Sequence, residues 1–491
     1  MLRVATADLI LDEIDAYSPE DLAAIGRLIY LCGAFGRRVF LSSATVAPNI
    51  VRSFFVAYRE GLLAYRQLHG ESGAAPGAPV MAGWFTEIPG LTQTGQVLDA
   101  GDFIRRHDQV IGAVISGMDL MPARRRAVLI APNDAGETPA PGPEAAFSSM
   151  VSAARDLHQR WNFDIDGVRA SIGLMRFSTV RNCREMVRYI ARNGICDALT
   201  GLVCYHARLF GVVRFQTEQV LDGLLKRKQG LDGNDGVRSH PVMRRLVREA
   251  KARGLRDVIM VVVTTPIEET GRDHDFDWGV LEPSSTRSLI QCAGRIWRHR
   301  PGLSASSENM AILDRPLRAY REIMTSGAYT WPGVETPPGG VKLIQPRRLS
   351  DVRFDRLFDM ASARNSIDAR HCLSVPEPGT CELAAVEHGL VDSFLAGRDR
   401  TLSLEWYVAG GKDRLFAAEH AESRRFRRSQ SEREFFLEWD FTERTGVWRE
   451  IAEVQDRWGR PERRAIQTRQ VSGPIDTVTP CDTVVWAVEV S

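Results

Sequence analysis

The sequence predicts an α/β protein: two lobes built on parallel sheets, the first incomplete, then a linker and a smaller C-terminal accessory domain. Three observations predict it. Short apolar runs alternate with amphipathic stripes between Ala7 and Thr45 and again between Arg169 and Arg300. That alternation is the pattern of βαβ units, whose strands lie in a parallel sheet. A segment rich in Pro, Gly and polar residues, 133–144 (NDAGETPAPGPE), separates the two stretches as a linker. Polar residues also gather at strand ends, where open α/β sheets place their ligands. The boundaries are then 1–132 for the first lobe, 133–144 for the linker and 145–330 for the second lobe. A linker region over 331–379 and an accessory domain over 380–491 complete the chain.

Bulk composition supports several ordinary globular cores. The chain has 491 residues, 44% hydrophobic and 25% charged, which excludes a disordered or fibrous class. A net charge of +1 argues neither for nor against nucleic acid, because a basic groove can sit within a balanced total. The eight cysteines form no C-x-x-C pair and no zinc spacing. Cys32 and Cys292 fall within helical apolar patterns and read as small core residues. A reducing cytoplasm is the expected compartment. No run reaches about 18 apolar residues, so no membrane partner is expected.

The first lobe opens on an apolar run, Ala7 to Leu11, ending in Asp12-Glu13-Ile14-Asp15. Carboxylates at a strand end are costly unless they serve a cation or move a proton. The competing reading is an acidic helix start, since Ser18-Pro19-Glu20-Asp21 begins a helix just beyond. Leu22, Ile25, Leu28, Ile29, Cys32 and Phe35 continue a helical stripe, which Gly33 and Gly36 help to end. Val39-Phe40-Leu41 is a second buried strand, closed by Ser42-Ser43-Ala44-Thr45 on the same sheet edge. Residues 81–86 suggest a strand, 98–113 a helix and 123–131 another strand. His107-Asp108 has no further His and Asp ligands arranged around it and reads as a surface dipeptide.

In the second lobe, residues 169–177 form a strand and 181–192 the helix after it. A strand over 202–206 ends in His206, a structural or hydrogen-bonded residue. Helix 241–253 leads into Val258 to Val263, the most apolar strand of the chain. It delivers Thr264 and Thr265 to a turn carrying Glu269, Gly271, Arg272 and Asp273; His274-Asp275 again lacks ligand partners. Trp278 to Leu281 is a short strand. TRSLIQCAGRIWRHR (286–300) then reads as an amphipathic helix, capped by Ser284 or Ser285. Gln291, Gly294, Arg295 and Arg298 share one face, and Leu289, Ile290, Ala293, Ile296 and Trp297 the other. A face with two arginines and a glycine is suited to an anion.

These motifs resemble superfamily 2 helicases, whose lobes are RecA-like. DEID resembles Walker B, SAT motif III, the Thr264–Asp273 turn motif V, and Q-x-x-G-R-x-x-R the arginine-finger motif. The resemblance sharpens over TTPIEETGRDHDFDWGVLEPSSTRSLIQCAGRIWRHR, with DLILDEID and FLSSAT upstream. It is to the helicase–nuclease of type I CRISPR systems, in the type I-F branch. It implies ATP and Mg²⁺ as cofactors. Asp12 and Glu13 would manage the metal and the attacking water, while Arg295 and Arg298 would stabilise phosphoryl charge. Asp15, Ser43, Thr45, Gly271, Asp273, Gln291 and Gly294 would bind or couple the nucleotide. Thr264 and Thr265 would touch the nucleic-acid backbone. The implied partners are the single-stranded DNA of an R-loop and a type I-F RNA-guided surveillance complex. Arg272 and Pro266 depart from the residues found in some relatives.

No phosphate cradle of the form G-x-x-x-x-G-K-[ST] occurs in the sequence: the Gly411-Lys412 pair is followed by Asp413, with Trp406 where glycine is required. The expectation is therefore a carboxy-terminal part whose P-loop and HD nuclease domain reside on a preceding part. The isolated chain is then expected to be inactive as an ATPase. An RNA helicase and a non-catalytic DNA-binding fragment are the alternatives. In the tail, 331–340 (WPGVETPPGG) reads as a linker, with helices near 351–363 and 380–397. Arg424, Arg425 and Phe426 within SRRFRRS suit either phosphate contact with one stacking ring or a solvated charged face. Residues 482–490 read as a closing strand.

Overall fold

The computed structural model of the chain describes residues 5–14, 17, 19–70, 78–132, 142–195, 197–209, 211–227, 233–269, 271–300, 302–322, 324, 327–329, 349–395, 434–440, 445–455, 461–467 and 483–485. Asp15 and the Arg424–Arg425–Phe426 cluster lie outside these residues, as does the Gly411-Lys412 pair.

The first lobe is a small βαβα unit: strand β1 (Leu9–Asp12), helix α1 (Pro19–Ala34), strand β2 (Val39–Ser42) and helix α2 (Pro48–Leu68). β1 and β2 pair in parallel with Asp12 opposite Ser42, so the acidic corner and the hydroxyl corner meet at one edge. Only one face of this sheet is covered. Leu9, Leu11, Val39 and Leu41 pack on Ile14, Leu22, Ile25, Ile29, Ile50 and Phe54, whereas Ile10 (73% exposed) and Phe40 (46%) face outward. The two strands are therefore half-covered rather than buried. Gly33 does not end α1; it sits at the α1–α2 crossing, where an added Cβ would lie 2.3 Å from the Tyr58 carbonyl oxygen. Gly36, at φ +63°, makes the turn. A hairpin, β3 (Val80–Trp84) with β4 (Gln93–Val97), and helix α3 (Ala100–Asp119) follow. His107 on α3 is buried against Phe103 rather than at the surface, and burial pushes its pKa down.

The second lobe is larger. It comprises β5 (Ala127–Ile130), α4 (Pro143–Arg160), β6 (Phe163–Ile165), β7 (Val168–Arg176), α5 (Val180–Asn193), β8 (Ala198–Tyr205), α6 (Gly211–Leu225), α7 (Pro241–Ala252), β9 (Asp257–Thr264), β10 (Trp278–Leu281), α8 (Thr286–Ala293) and β11 (Met310–Leu313). Seven parallel strands run in the order β15-β8-β9-β7-β10-β11-β5, where β15 is Thr483–Val485, and β6 pairs antiparallel with β7. β9 is buried almost throughout, as its apolar run of Val, Ile and Met from Val258 to Val263 requires of a central parallel strand. At Gly173 of β7 a Cβ would stand 2.1 Å from the Trp278 ring, so only glycine leaves room for that indole.

Three boundaries need correction. The strand at 127–130, counted above in the first lobe, pairs with β11 in the second sheet. Much of the supposed linker over 331–379 belongs to the second lobe. Leu349, Val352, Phe354, Leu357, Phe358, Met360, Ala363 and Ile367 lie in the same core as β7, β8 and β9. Their short helical turns hide apolar residues too sparse to show a period. The accessory region is also divided: helix α9 (Glu382–Leu395) packs on α1 and α2 of the first lobe and on α8 of the second. Strands β12 (Glu434–Asp440), β13 (Thr445–Gln455) and β14 (Pro461–Gln467) form an antiparallel sheet of their own. β15 extends the second lobe's sheet beside β8. Among the described residues no helix is long and apolar enough to cross a membrane.

Candidate functional site

The edge of the first lobe carries the acids. Asp12 ends β1, its carboxylate accepting the Glu13 backbone N–H at 3.0 Å. Glu13 takes a left-handed φ of 49°, a conformation that non-glycine residues adopt mainly where the surroundings demand it. Both side chains are exposed. After β2, the Ser43 hydroxyl accepts the Thr45 N–H at 3.1 Å, and Thr45 is buried. The second lobe meets this edge through α8: the Gln291 amide donates to the Thr45 hydroxyl at 3.3 Å. The negative charge of Glu13 is a minor influence on the Arg295 guanidinium, behind burial and the charges of Arg298 and Glu268. The contact between the two edges is the one between Gln291 and Thr45.

The arginine segment is not one helix. α8 stops at Ala293, with Gly294 in ordinary helical φ/ψ as its cap. The chain then turns into a parallel bridge between Ile296 and Phe276, with Trp297 at φ 51°. A bulky residue there is strained, so the i, i+3, i+4, i+7 face ends after Gly294. The cause is tertiary: Ile296 and Trp297 are drawn into the core beneath β10, with the Trp297 indole donating to the Asp277 carbonyl at 2.9 Å.

The two arginines consequently differ. Arg295 is 2% exposed and donates to the backbone carbonyls of Arg272 and Glu269. Burial first, then the positive charge of Arg298, pushes its guanidinium below the usual arginine range. It braces the turn that follows β9. Arg298 is exposed and pairs with Asp273 at 3.0 Å, an acid it shares with His299 at 2.9 Å. Arg298 is therefore the more accessible of the two. Gly271 has φ +68° and open space where a Cβ would stand.

Thr264 and Thr265 are both buried, and the Thr264 hydroxyl donates to the Thr265 carbonyl. Both side chains are thus turned inward in this conformation. His274 does have partners: buried Glu268 at 2.6 Å and half-buried Asp222 at 3.1 Å, the imidazole itself being fully buried. His206 is buried, as a structural histidine would be.

Sequence reading missed one constellation. Asp273, Asp275 and Asp277 alternate along one segment, and Arg298 and Arg300 along the other; the bridge between Phe276 and Ile296 sets them in register. Arg300 binds Asp275 and, at 2.8 Å, Asp277, which also holds Arg227 and accepts the Ile172 N–H at 2.7 Å. Burial opposes ionisation of Asp277, yet Arg227 and Arg300 hold it below the usual carboxylate range. The period-two alternation of acids in DHDFD and of arginines in RHR was the available signal.

Fold and motifs define the class: a two-lobed α/β protein with an acidic strand end in the smaller lobe and an arginine-bearing segment in the larger one. Residues 169–301 match the family described as CRISPR-associated nuclease/helicase Cas3, C-terminal. The chain is 36% identical over 339 residues to the CRISPR-associated nuclease/helicase Cas3 subtype I-F/YPEST of Pseudomonas aeruginosa (strain UCBPP-PA14), covering 69% of this chain and 30% of that protein. It is 33% identical over 409 residues to the protein of the same description from Pectobacterium atrosepticum, covering 81% and 35%. The chain thus resembles the C-terminal part of subtype I-F Cas3 proteins. It spans about a third of the length of the curated relatives it matches. A T. fusca Cas3 crystal structure superimposes with a TM-score of 0.40 at 16% identity, covering 64% of this chain and 29% of that one.

Proposed function

We propose that this chain forms the second lobe and the Walker B edge of an ATP-dependent DNA helicase acting in CRISPR interference. The observation that carries the reading is the Gln291–Thr45 contact, which joins the arginine-finger motif to the SAT motif across the cleft.

The donor set suits Mg²⁺ in part. Among the described residues no group of three or more His, Cys, Asp and Glu could hold a metal by itself. Mg²⁺ is ordinarily held by one or two carboxylates together with phosphate oxygens and water. Asp12 and Glu13, exposed at a strand end, are such a pair. Bound Mg·ATP would supply the phosphoryl group and the charge neutralisation on it. Glu13 would orient water at the acidic edge. Arg298 would exchange Asp273 for phosphate oxygens, and Arg295 would keep the motif V turn closed against solvent. An arginine placed in this way contributes about 10³–10⁵ in rate in related NTPases.

The partners in this reading are the single-stranded DNA of an R-loop and a type I-F surveillance complex, together with a polypeptide part supplying the phosphate cradle and the HD nuclease. The outward Ile10 and Phe40 on a half-covered parallel sheet support such an addition, because parallel sheets are normally covered on both faces. The test is single-stranded-DNA-stimulated ATP hydrolysis by the chain mixed with the amino-terminal part of a subtype I-F relative. Turnover that appears only in the mixture, and is abolished by Arg298→Ala, is expected. Turnover unaffected by Arg298→Ala overturns the reading. The lack of a G-x-x-x-x-G-K-[ST] sequence favours, as a second reading, a DNA-binding fragment without catalysis. DNA binding with no turnover in the mixture would select it.

A further inference from the structure

We propose that α9 is a strut spanning the two lobes and that Glu387 is a positioning residue, the joint through which lobe geometry reaches the arginine segment. The functional meaning of this joint rests on the helicase reading above; its existence does not.

The two ends of α9 belong to different cores. Leu383 and Ala384, with Cys381 just before them, are essentially fully buried in the core of the second lobe, and Val386 packs against it. Leu395 is buried in the core of the first lobe with Ile14, Leu22 and Phe54, and Val391 packs beside it. A single helix thus enters both cores without a break. The polar contacts with the two lobes fall on consecutive residues. Asn49, in the first turn of α2, donates its side-chain amide to the His388 carbonyl at 3.1 Å. Glu387 accepts the backbone N–H groups of Thr286 at 2.6 Å and Arg287 at 3.3 Å, the first two residues of α8.

Those N–H groups are two of the four that an α-helix leaves unpaired at its start. The next, that of Ser288, is taken by the Ser285 hydroxyl, and the regular helical ladder begins with the Leu289 N–H on the Ser285 carbonyl. Glu387 therefore completes the cap from about a hundred residues away, its two carboxyl oxygens each accepting one of these N–H groups. α8 has eight residues and runs directly into Gly294 and Arg295. So short a helix moves as one piece, and a shift at Thr286 is delivered to the arginines. The lobes cannot separate unless α9 leaves one of its two cores.

Hydrogen–deuterium exchange on the full chain tests the joint without requiring catalysis, so its outcome is independent of the ATPase experiment. Glu387→Ala is expected to raise exchange over 286–293 about tenfold or more. Glu387→Gln, which keeps a carbonyl acceptor, restores part of the protection. The decisive variant is Asn49→Ala, which touches neither α8 nor Glu387. A strut predicts faster exchange over 286–293 in this variant as well, by about threefold or more. Faster exchange confined to α2 and α9, with α8 unchanged, overturns the proposal. Should Glu387→Ala fail to fold, Asn49→Ala and Glu387→Gln decide alone.

Discussion

Gln291 and Thr45 stand 246 positions apart in the sequence and share a 3.3 Å hydrogen bond. The bond runs from the last turn of α8 to the loop that closes β2, and no other polar side-chain pair described above joins the two motif-bearing edges. The contact makes the cleft a single object.

A double-mutant cycle measures that bond. Thr45→Val and Gln291→Ala are expected to be coupled by about 0.5–1.5 kcal/mol in urea unfolding, the usual net worth of a partly buried neutral hydrogen bond. Strict additivity would show that the two edges do not touch in solution.

The Asp277 cluster gives a larger effect. Removing its carboxylate leaves buried Arg227 with the neutral Asn234 side chain and Arg300 with Asp275 alone, and breaking a buried pair in this way costs about 3–5 kcal/mol. Asp277→Ala is expected to lower the urea midpoint accordingly. Because the folded pKa of Asp277 is depressed, its contribution is present above the unfolded value and is lost as pH falls through the folded one. The difference between wild type and Asp277→Asn should therefore shrink in acid.

Glu387 behaves in the opposite sense. Burial raises its pKa from 4.5 to about 7, against the opposing pull of the Thr286 and Arg287 N–H groups and the Arg287 charge. Burial and then the Glu387 charge raise the Cys381 thiol to about 11, so it stays neutral across the same window. The folded chain then holds a proton that the unfolded chain has released, so this group's contribution is full below about pH 4.5 and is lost as pH rises to about 7. Thermal unfolding of wild type and Glu387→Gln across that window reads the slope; parallel profiles would refute it.

Arg124 reaches from the segment before β5 to the carbonyls of Trp297 and Arg298, and Arg125 to that of Ile296 at 3.0 Å. These bonds hold the strained turn that places Arg298. Arg124→Ala is expected to destabilise the chain by about 1–3 kcal/mol and to change the emission of the buried Trp297, whereas Arg126→Ala, which makes none of these contacts, serves as the control.

Much of the architecture was written locally. The Val and Ile content of 257–264 can lie comfortably only in a covered sheet, and the spacing of apolar residues between Leu22 and Phe35 admits only a helix packed on one side. Asp12 and Ser42 share an edge because two parallel strands of equal length must end together. The motif strings are equally local, since their residues are contiguous.

What the sequence could not decide depends on contacts between distant residues. A helix face drawn through Gln291, Gly294, Arg295 and Arg298 obeys every local rule, yet the bridge to Phe276 and the pull of Trp297 into the core end the helix at Ala293. The arginines thereby divide into one buried brace and one exposed group. Ala127–Ile130 has no local mark of the lobe it joins; pairing with β11 decides it. α9 likewise reads as one amphipathic helix, and only the folded chain sends its first half into one core and its last residue into the other. Periodicity reports that a side chain is covered, not what covers it, and the identity of the cover is a property of the assembled fold.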